Sequence, residues 1–519
     1  MNIYFYQGHF PVGAIADNAK KMRGVAEEAL HRGAELIVFP ELALSGYPPE
    51  DLLFQQKFQA GIEAAIAQLQ QDLPPEILVI LGAPVYRDGK IYNALLAFGE
   101  GRIVYEYHKQ ALPNFGVFDD QRYFSAGSTP GVLTWKGHRI GLLICEDLWH
   151  SESVKSLGQV DVVISIHASP FERGKRAKRL QIAMDAYQIL KAPIVYVHQI
   201  GVQDEVIYDG GSFCIDAQGG VTGFPQFEAG LFCCFAPGAK GSPSTLTLLR
   251  KGGGESATIY QALCFALKGY VDHHGFPGVL LGLSGGIDSA LTLAIAVDAL
   301  GADRVQAVLM PSRYTAAMSI EDAEYEAKAL GVSYSIIPIE TLFEAFIKAV
   351  SPHFSRPEPD LTEENIQARL RGMILMALSN KSGKMVVTTT NKSELAVGYG
   401  TLYGDLAGGF ALLKDVYKTE VYALARHRNT LGFVIPERVL TRPPSAELRH
   451  NQTDQDALPD YVVLDDVIER YMAGEPDLNP QMTALIRRNE YKRKQAPLGP
   501  KVSARAFGKD WRMPIMQGK

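Results

Sequence analysis

A chain of 519 residues with 47% hydrophobic content has room for two or three domains with full cores. Its formal net charge of −6 is mild and there is no long run of either sign, so nucleic acid is not an obvious partner. No apolar run reaches membrane length, MNIYFYQGHFPVG reads as a strand, and the five cysteines (Cys145, Cys214, Cys233, Cys234, Cys264) are odd in number and scattered. A cytoplasmic protein in a reducing compartment, without membrane or nucleic-acid partners, is expected.

In chain order, residues 2–7 form a strand and 16–32 an amphipathic helix, with Met22, Val25, Ala26 and Ala29 at helical spacing. AELIVFPE, ILVILGAPV, RIVYEYHK, RIGLLICED, DVVISIHASP and PIVYVHQIG read as further strands, with helices near 57–70 and 173–190. GSFCIDAQGGV predicts a hairpin. A Gly/Pro/Ser-rich passage over 241–254 separates a first domain, 1–240, from a second, 255–519.

Three first-half strands end in chemistry: Glu41 after AELIVFP, Lys109 after RIVYEYH, and Cys145 after RIGLLI. Side chains at like ends of neighbouring strands can share a pocket. There Cys145 would attack a carbonyl carbon, Glu41 would take the thiol proton, and Lys109 would face the developing oxyanion. Singly, each residue is also an ordinary strand end.

In this order, within FPELALSGY, HKQALPN and ICEDLW, the three resemble the Glu-Lys-Cys triad of the nitrilase superfamily. That resemblance implies an αββα sandwich. It is strongest for the glutaminase domain of glutamine-dependent NAD synthetases, which implies glutamine contacts at Phe115, Ser169 and Lys175. Phe115 stands where that family usually has Tyr, and His167 where it usually has Asn. Asp204 and Glu205 also match the family, and an ordinary turn explains them equally well.

The second half opens with an amphipathic helix from Glu255, with Ile259, Leu263, Leu267 and Val271 on one face. GVLLGLSGGIDSALTLAIAV follows as a strand over 279–283, a glycine turn, and a helix from Asp288. Adjacent glycines before a helix N-terminus aim backbone N–H groups at an anion. Strands over 305–310, 334–338 and 385–389 alternate with helices near 321–330 and 363–380. This predicts a doubly wound parallel sheet with ligands at the C-terminal strand ends. Roughly 75 residues from Ala425 lack that alternation and are expected to cap the site.

SGGIDS resembles the pyrophosphate loop of the N-type ATP pyrophosphatases, whose fold is adenine-nucleotide α-hydrolase-like. ATP contacts are thereby implied for Gly282, Leu283, Ser284, Gly285, Gly286, Ile287, Asp288, Ser289, Thr389 and Lys418. Asn365 and Arg369 lie four apart on one helix and so share a face, and with Glu394 and Lys492 they are candidate contacts for deamido-NAD. Asp288 and Glu394 are oxygen donors suited to Mg²⁺. TEENIQARLRG, TTTNKSELAVGYG, RPPSAELR and NQTDQD resemble the synthetase domain of the same family, although Thr390 and Gly400 depart from its usual residues. The family implies ATP-dependent amidation of deamido-NAD with ammonia from L-glutamine, by a homo-oligomer. The residues themselves leave open an ammonia-dependent synthetase on a non-catalytic scaffold, another adenylating amidotransferase, or a nucleotide-sensing protein.

Overall fold

The computed structural model describes residues 1–235, 254–356, 358–476 and 478–516. Two compact units emerge, Met1–Gly252 and Gly253–Lys519. Of the expected connection over 241–254, only Gly254 is described, just before helix Glu255–His273.

The first unit has two six-stranded sheets, each with three parallel strands at its centre. One runs Gly230–Cys233, Ile3–Gln7, Leu36–Val38, Leu78–Arg87, Lys90–Gly99, Arg102–His108. The other runs Val221–Gly223, Phe213–Ile215, Ile194–His198, Val162–His167, His138–Ile144, Val132–Trp135. Their unbroken aliphatic runs are buried on both faces. Ile3, Phe5, Leu36, Val38, Ile140, Leu142, Ile164 and Val195 meet in one core between the sheets. The alternate residues Ile37, Val79 and Leu81 pack outward with Met22, Ala26, Ile62 and Leu69 of helices Ile15–His31 and Gln56–Asp72. On the other side Val163, Ile194 and Tyr196 pack with Val154, Ala183 and Ala186 of helices Ser151–Ser156 and Lys175–Leu190. The result is the αββα sandwich.

Strand Lys90–Gly99 was not foreseen, although its signal is Asp88-Gly89, a turn with both residues at positive φ, 49° and 72°. The cysteines also depart from expectation. Cys214 on one sheet and Cys234 beside the edge of the other are joined as a disulfide, and Cys145, Cys233 and Cys264 are free. Sequence spacing could not show that pairing, because it is made across the sandwich.

In the second unit the sheet order is Ser333–Ile336, Val305–Leu309, Val279–Gly282, Met385–Thr388, Phe410–Ala411, all parallel. The chain builds outward from Val279–Gly282 in one direction and then returns to its other side. That reversal opens a crevice at the C-terminal strand ends. Helix Leu361–Ser382 covers one face through Ile374, Leu375 and Leu378 against Leu280, Val308 and Val386. Helices Glu255–His273, Ile287–Leu300 and Lys418–Thr430 pack together; Ile259, Leu263, Leu267 and Val271 are all buried. A separate core of Leu395, Leu464, Ile468, Ile486, Phe507 and Trp511 holds the last part of the chain. Helix Glu340–Val350, also unforeseen, buries none of its residues.

Candidate active sites

In the first unit, Glu41 lies just beyond strand Leu36–Val38, fully buried. Its Oε1 accepts from Lys109 Nζ at 2.9 Å and from Asn93 Nδ2 at 2.8 Å, and its Oε2 from the Ala168 N–H at 2.9 Å. Lys109 Nζ also donates to Asp120 Oδ2 at 2.7 Å. Burial opposes the Lys109 charge, but Asp120 and Glu41 outweigh it and hold the ammonium protonated.

Cys145 follows strand His138–Ile144 with φ +47°, a conformation that a non-glycine residue adopts only when its surroundings impose it. Asp147 imposes it. Its carboxylate accepts from the N–H groups of Ile144, Gln110 and Ala111 and from the Tyr107 hydroxyl. One side chain therefore ties the cysteine turn to the segment after Lys109. Burial and the charge on Glu41 push the Cys145 thiol well up, with Lys109 pulling it back. The resting group is a thiol, so reaction requires a base.

Ser169 sits beside this centre. Its N–H donates to His198 Nε2 at 3.1 Å, and Arg179 Nη2 donates to its carbonyl at 2.8 Å. His198 is held between two carbonyls, with Nδ1 2.8 Å from that of Gln199 and Nε2 2.8 Å from that of Ser169; burial and the Arg179 charge hold its pKa down at about 3. Arg179 is itself anchored on Asp209 at 2.7 Å. Phe115 is 61% exposed, its ring edge-on to Phe118, and Lys175 Nζ lies 5.9 Å from the centre of the Phe118 ring. His167 is buried, stacked on Tyr196 and 2.7 Å from Ser165 Oγ. Asp204 and Glu205 form the turn of hairpin Ile200–Gln203/Val206–Asp209.

The second unit holds a cavity of about 770 Å³ lined by Gly282, Leu283, Ser284, Gly286, Ile287, Asp288 and Ser289. Thr389, Thr390, Glu394, Lys418, Asn365 and Lys492 line it too. Gly285 does not line it. That glycine has φ +78°, and a Cβ there would lie 2.1 Å from the Ser319 carbonyl oxygen. The tight turn sets the start of helix Ile287–Leu300, with the positive end of its dipole, against the cavity.

Lys418 Nζ bridges Asp288 Oδ2 at 2.5 Å and Glu394 Oε1 at 3.0 Å. Burial, only partly offset by Lys418, pushes Glu394 up to about 8, and the charge on Asp288 adds to the rise. Among the described residues no group of three or more carboxylate, His or Cys side chains is arranged to hold a metal. A cation at Asp288 and Glu394 would draw further oxygens from a phosphate chain.

Arg369 lies outside the cavity. The lining stripe of helix Leu361–Ser382 is Leu361, Glu364, Asn365, Ala368, Arg371, Gly372 and Leu375, while Arg369 is exposed with its Nε on the Leu402 carbonyl. Ala368 and Gly372 set that rotation. A Cβ on Gly372 would come within 2.8 Å of the Tyr403 carbonyl oxygen, so the 402–404 loop presses on this face.

Residues 6–232 match the carbon-nitrogen hydrolase family and residues 259–496 the NAD synthase family. The glutamine-dependent NAD(+) synthetase of Acinetobacter baylyi is 44% identical, covering 98% of this chain and 96% of its own. That of Xanthomonas campestris is also 44% identical, covering 100% and 98%. The chain belongs to the glutamine-dependent NAD(+) synthetase family. A solved structure from Acinetobacter baumannii, in complex with ADP, aligns with TM-score 0.80 and 41% identity over 99% of this chain and 98% of its own. One from Cytophaga hutchinsonii, at 21% identity and TM-score 0.83, shows the shared fold.

The synthetase architecture brings in residues that sequence reading did not single out. Asp120, Asn93 and Asp147 surround the first centre; Asp147 lies within ICEDLW, whereas Asp120 and Asn93 come from segments without a strand-end signal. In the cavity, Arg371, Arg442, Asp454 and Arg488 join the lining. Arg442 and Asp454 lie in RPPSAELR and NQTDQD, so their motifs were visible but their direction was not. Arg442 donates to the Gly285 carbonyl and, at 2.9 Å, to Ser319 Oγ, which fastens the capping segment to the glycine turn. Lys492 Nζ reaches the Gly398 and Gly400 carbonyls, and Arg493 is buried on Glu490. Both basic side chains are thus engaged within the fold. Thr390 and Gly400 both line the cavity.

Proposed function

We propose that this chain makes NAD⁺ from deamido-NAD, ATP and L-glutamine, releasing AMP, pyrophosphate and glutamate. The observation that carries this reading is the pairing, in one chain, of a buried Glu41–Lys109 pair beside Cys145 with a strand-end cavity built on SGGIDS.

In the first unit, Cys145 Sγ attacks the side-chain amide carbon of glutamine as Glu41 accepts the thiol proton. Lys109, kept charged by Asp120, faces the tetrahedral oxygen. Glu41 returns the proton to the departing ammonia and then activates the water that releases glutamate from the thioester. Phe115, Ser169 and Lys175 hold the glutamine. In the second unit the nicotinate carboxylate attacks the α-phosphorus of ATP, pyrophosphate leaves, and ammonia displaces AMP from the adenylate. Gly282, Leu283, Ser284, Gly286, Ile287, Asp288, Ser289, Thr389 and Lys418 bind ATP, and Asn365, Glu394 and Lys492 bind deamido-NAD; Arg369 and Gly285, outside the cavity lining, drop out of these sets. Asp288 and Glu394 would hold Mg²⁺, which supplies positive charge to the phosphate oxygens when bound.

A cytoplasmic homo-oligomer is part of this reading. Among the described residues no helix is long and apolar enough to cross a membrane. Met373 is 62% exposed, and Met376, Leu342 and Phe346 are exposed with it on helix Leu361–Ser382 and its neighbour Glu340–Val350. A second copy of the chain would cover this apolar surface. Light scattering at micromolar concentration tests it, and a fully active monomer would refute it. For the reaction, NAD⁺ formation is measured with glutamine or ammonium as nitrogen source. Failure with both refutes the reading; success with ammonium alone leaves the first unit a scaffold.

A further inference from the structure

Lys418 is 2% exposed, yet its charge faces the cavity rather than solvent. It opens helix Lys418–Thr430, and its main chain is fixed because its N–H donates to Ser393 Oγ at 2.8 Å. Asp465 accepts from both Ser393 Oγ and the Thr419 N–H. Only the four-carbon stem is left to move. Its tip sits between the two carboxylates to which the proposed function assigns a divalent cation, Asp288 Oδ2 at 2.5 Å and Glu394 Oε1 at 3.0 Å. Asp288 Oδ1 accepts from Asn391 Nδ2 at 2.8 Å, and Glu394 Oε2 lies 3.4 Å from the Asn391 N–H. Asn391 therefore holds one oxygen of each carboxylate, and Lys418 takes the other.

We propose that Lys418 guards this pair: its ammonium and a divalent cation compete for the same carboxylate oxygens. A bare cation must displace a buried ion pair and strand the ammonium, which costs more than the new bonds return. A cation carried on a polyphosphate also brings oxygens onto which the ammonium can swing. Metal entry is thereby linked to nucleotide entry, and the carboxylates are not occupied by free cations.

This rests on the assignment of Asp288 and Glu394 as metal ligands, and the test separates the two ideas. Mn²⁺ binding to the full chain is followed by electron paramagnetic resonance without nucleotide, for wild type, Lys418→Gln, and Lys418→Gln with Asp288→Asn. The expected result is binding at least tenfold tighter in Lys418→Gln, with the gain lost in the double variant. Folded Lys418→Gln that binds Mn²⁺ no more tightly than wild type overturns the guard. Should Lys418→Gln fail to fold in chelator, rescue by millimolar Mn²⁺ but not by NaCl of equal ionic strength reads the same competition, and no rescue overturns it. The ligand assignment is tested apart, with an ATP analogue resistant to α–β cleavage present. If Asp288→Asn then leaves Mn²⁺ binding unchanged, the carboxylates are not the metal site.

Discussion

Lys109 and Asp120 are joined by a 2.7 Å hydrogen bond with both side chains at most 5% exposed. A lysine so buried would shed its proton if it faced Glu41 alone during turnover, because Glu41 must itself change charge. Asp120 gives the ammonium a constant partner. Replacement by Asn keeps the shape and removes that charge. Glutamine-supported synthesis in Asp120→Asn should fall by about 10²-fold or more, the range for a displaced oxyanion-facing group. Ammonium-supported synthesis should be unchanged. Equal loss of both would mean that Asp120 only holds the fold.

Cys145→Ala removes the nucleophile while leaving Asp147 to hold the turn. Glutamine hydrolysis should vanish, and NAD⁺ formation from ammonium should stay within about twofold of wild type. Parallel rate measurements with the two nitrogen sources check this. Residual glutaminase activity would remove Cys145 from the nucleophile role.

Gly285→Ala should impair synthesis and spare glutaminase. The φ of +78° disfavours any side chain, and the new Cβ would strike the Ser319 carbonyl. The strain should cost about 1–3 kcal/mol and misplace the glycine turn. A raised KM for ATP with unchanged glutamine hydrolysis is the expected pattern. Normal ATP kinetics would show that the turn tolerates the change.

Acid should loosen the first unit through His198. Its folded pKa of about 3 lies below the ordinary 6.5, so the unfolded chain binds an extra proton between those values. Stability from this group is complete above pH 6.5 and is lost as pH falls from 6.5 toward 3. Between pH 7 and 5 the loss should be about 2 kcal/mol. Buried His167 shifts in the same direction, whereas the raised carboxyls Asp120 and Asp147 act oppositely, so the comparison must be made against a variant. Urea unfolding of His198→Asn should show a smaller drop over this range than wild type. An equal drop would exclude His198 as its source.

The sequence by itself determined whatever is written in local periodicity or in a contiguous run. The strand–turn–helix at 279–300, the alternation building the second sheet, and the strand ends carrying Glu41, Lys109 and Cys145 belong here. In each, the backbone geometry follows from neighbouring residues alone. Only the tertiary structure decided which side chains meet across distance. Asp288 and Lys418 are 130 residues apart and share one ion pair. Cys214 lies on a strand of one sheet and Cys234 just past the edge strand of the facing sheet, and spacing cannot express that they meet. Arg371 rather than Arg369 faces the cavity because the loop at 402–404 rests on Ala368 and Gly372. Helical period fixes which residues share a face, but only the packing partner fixes which face looks inward.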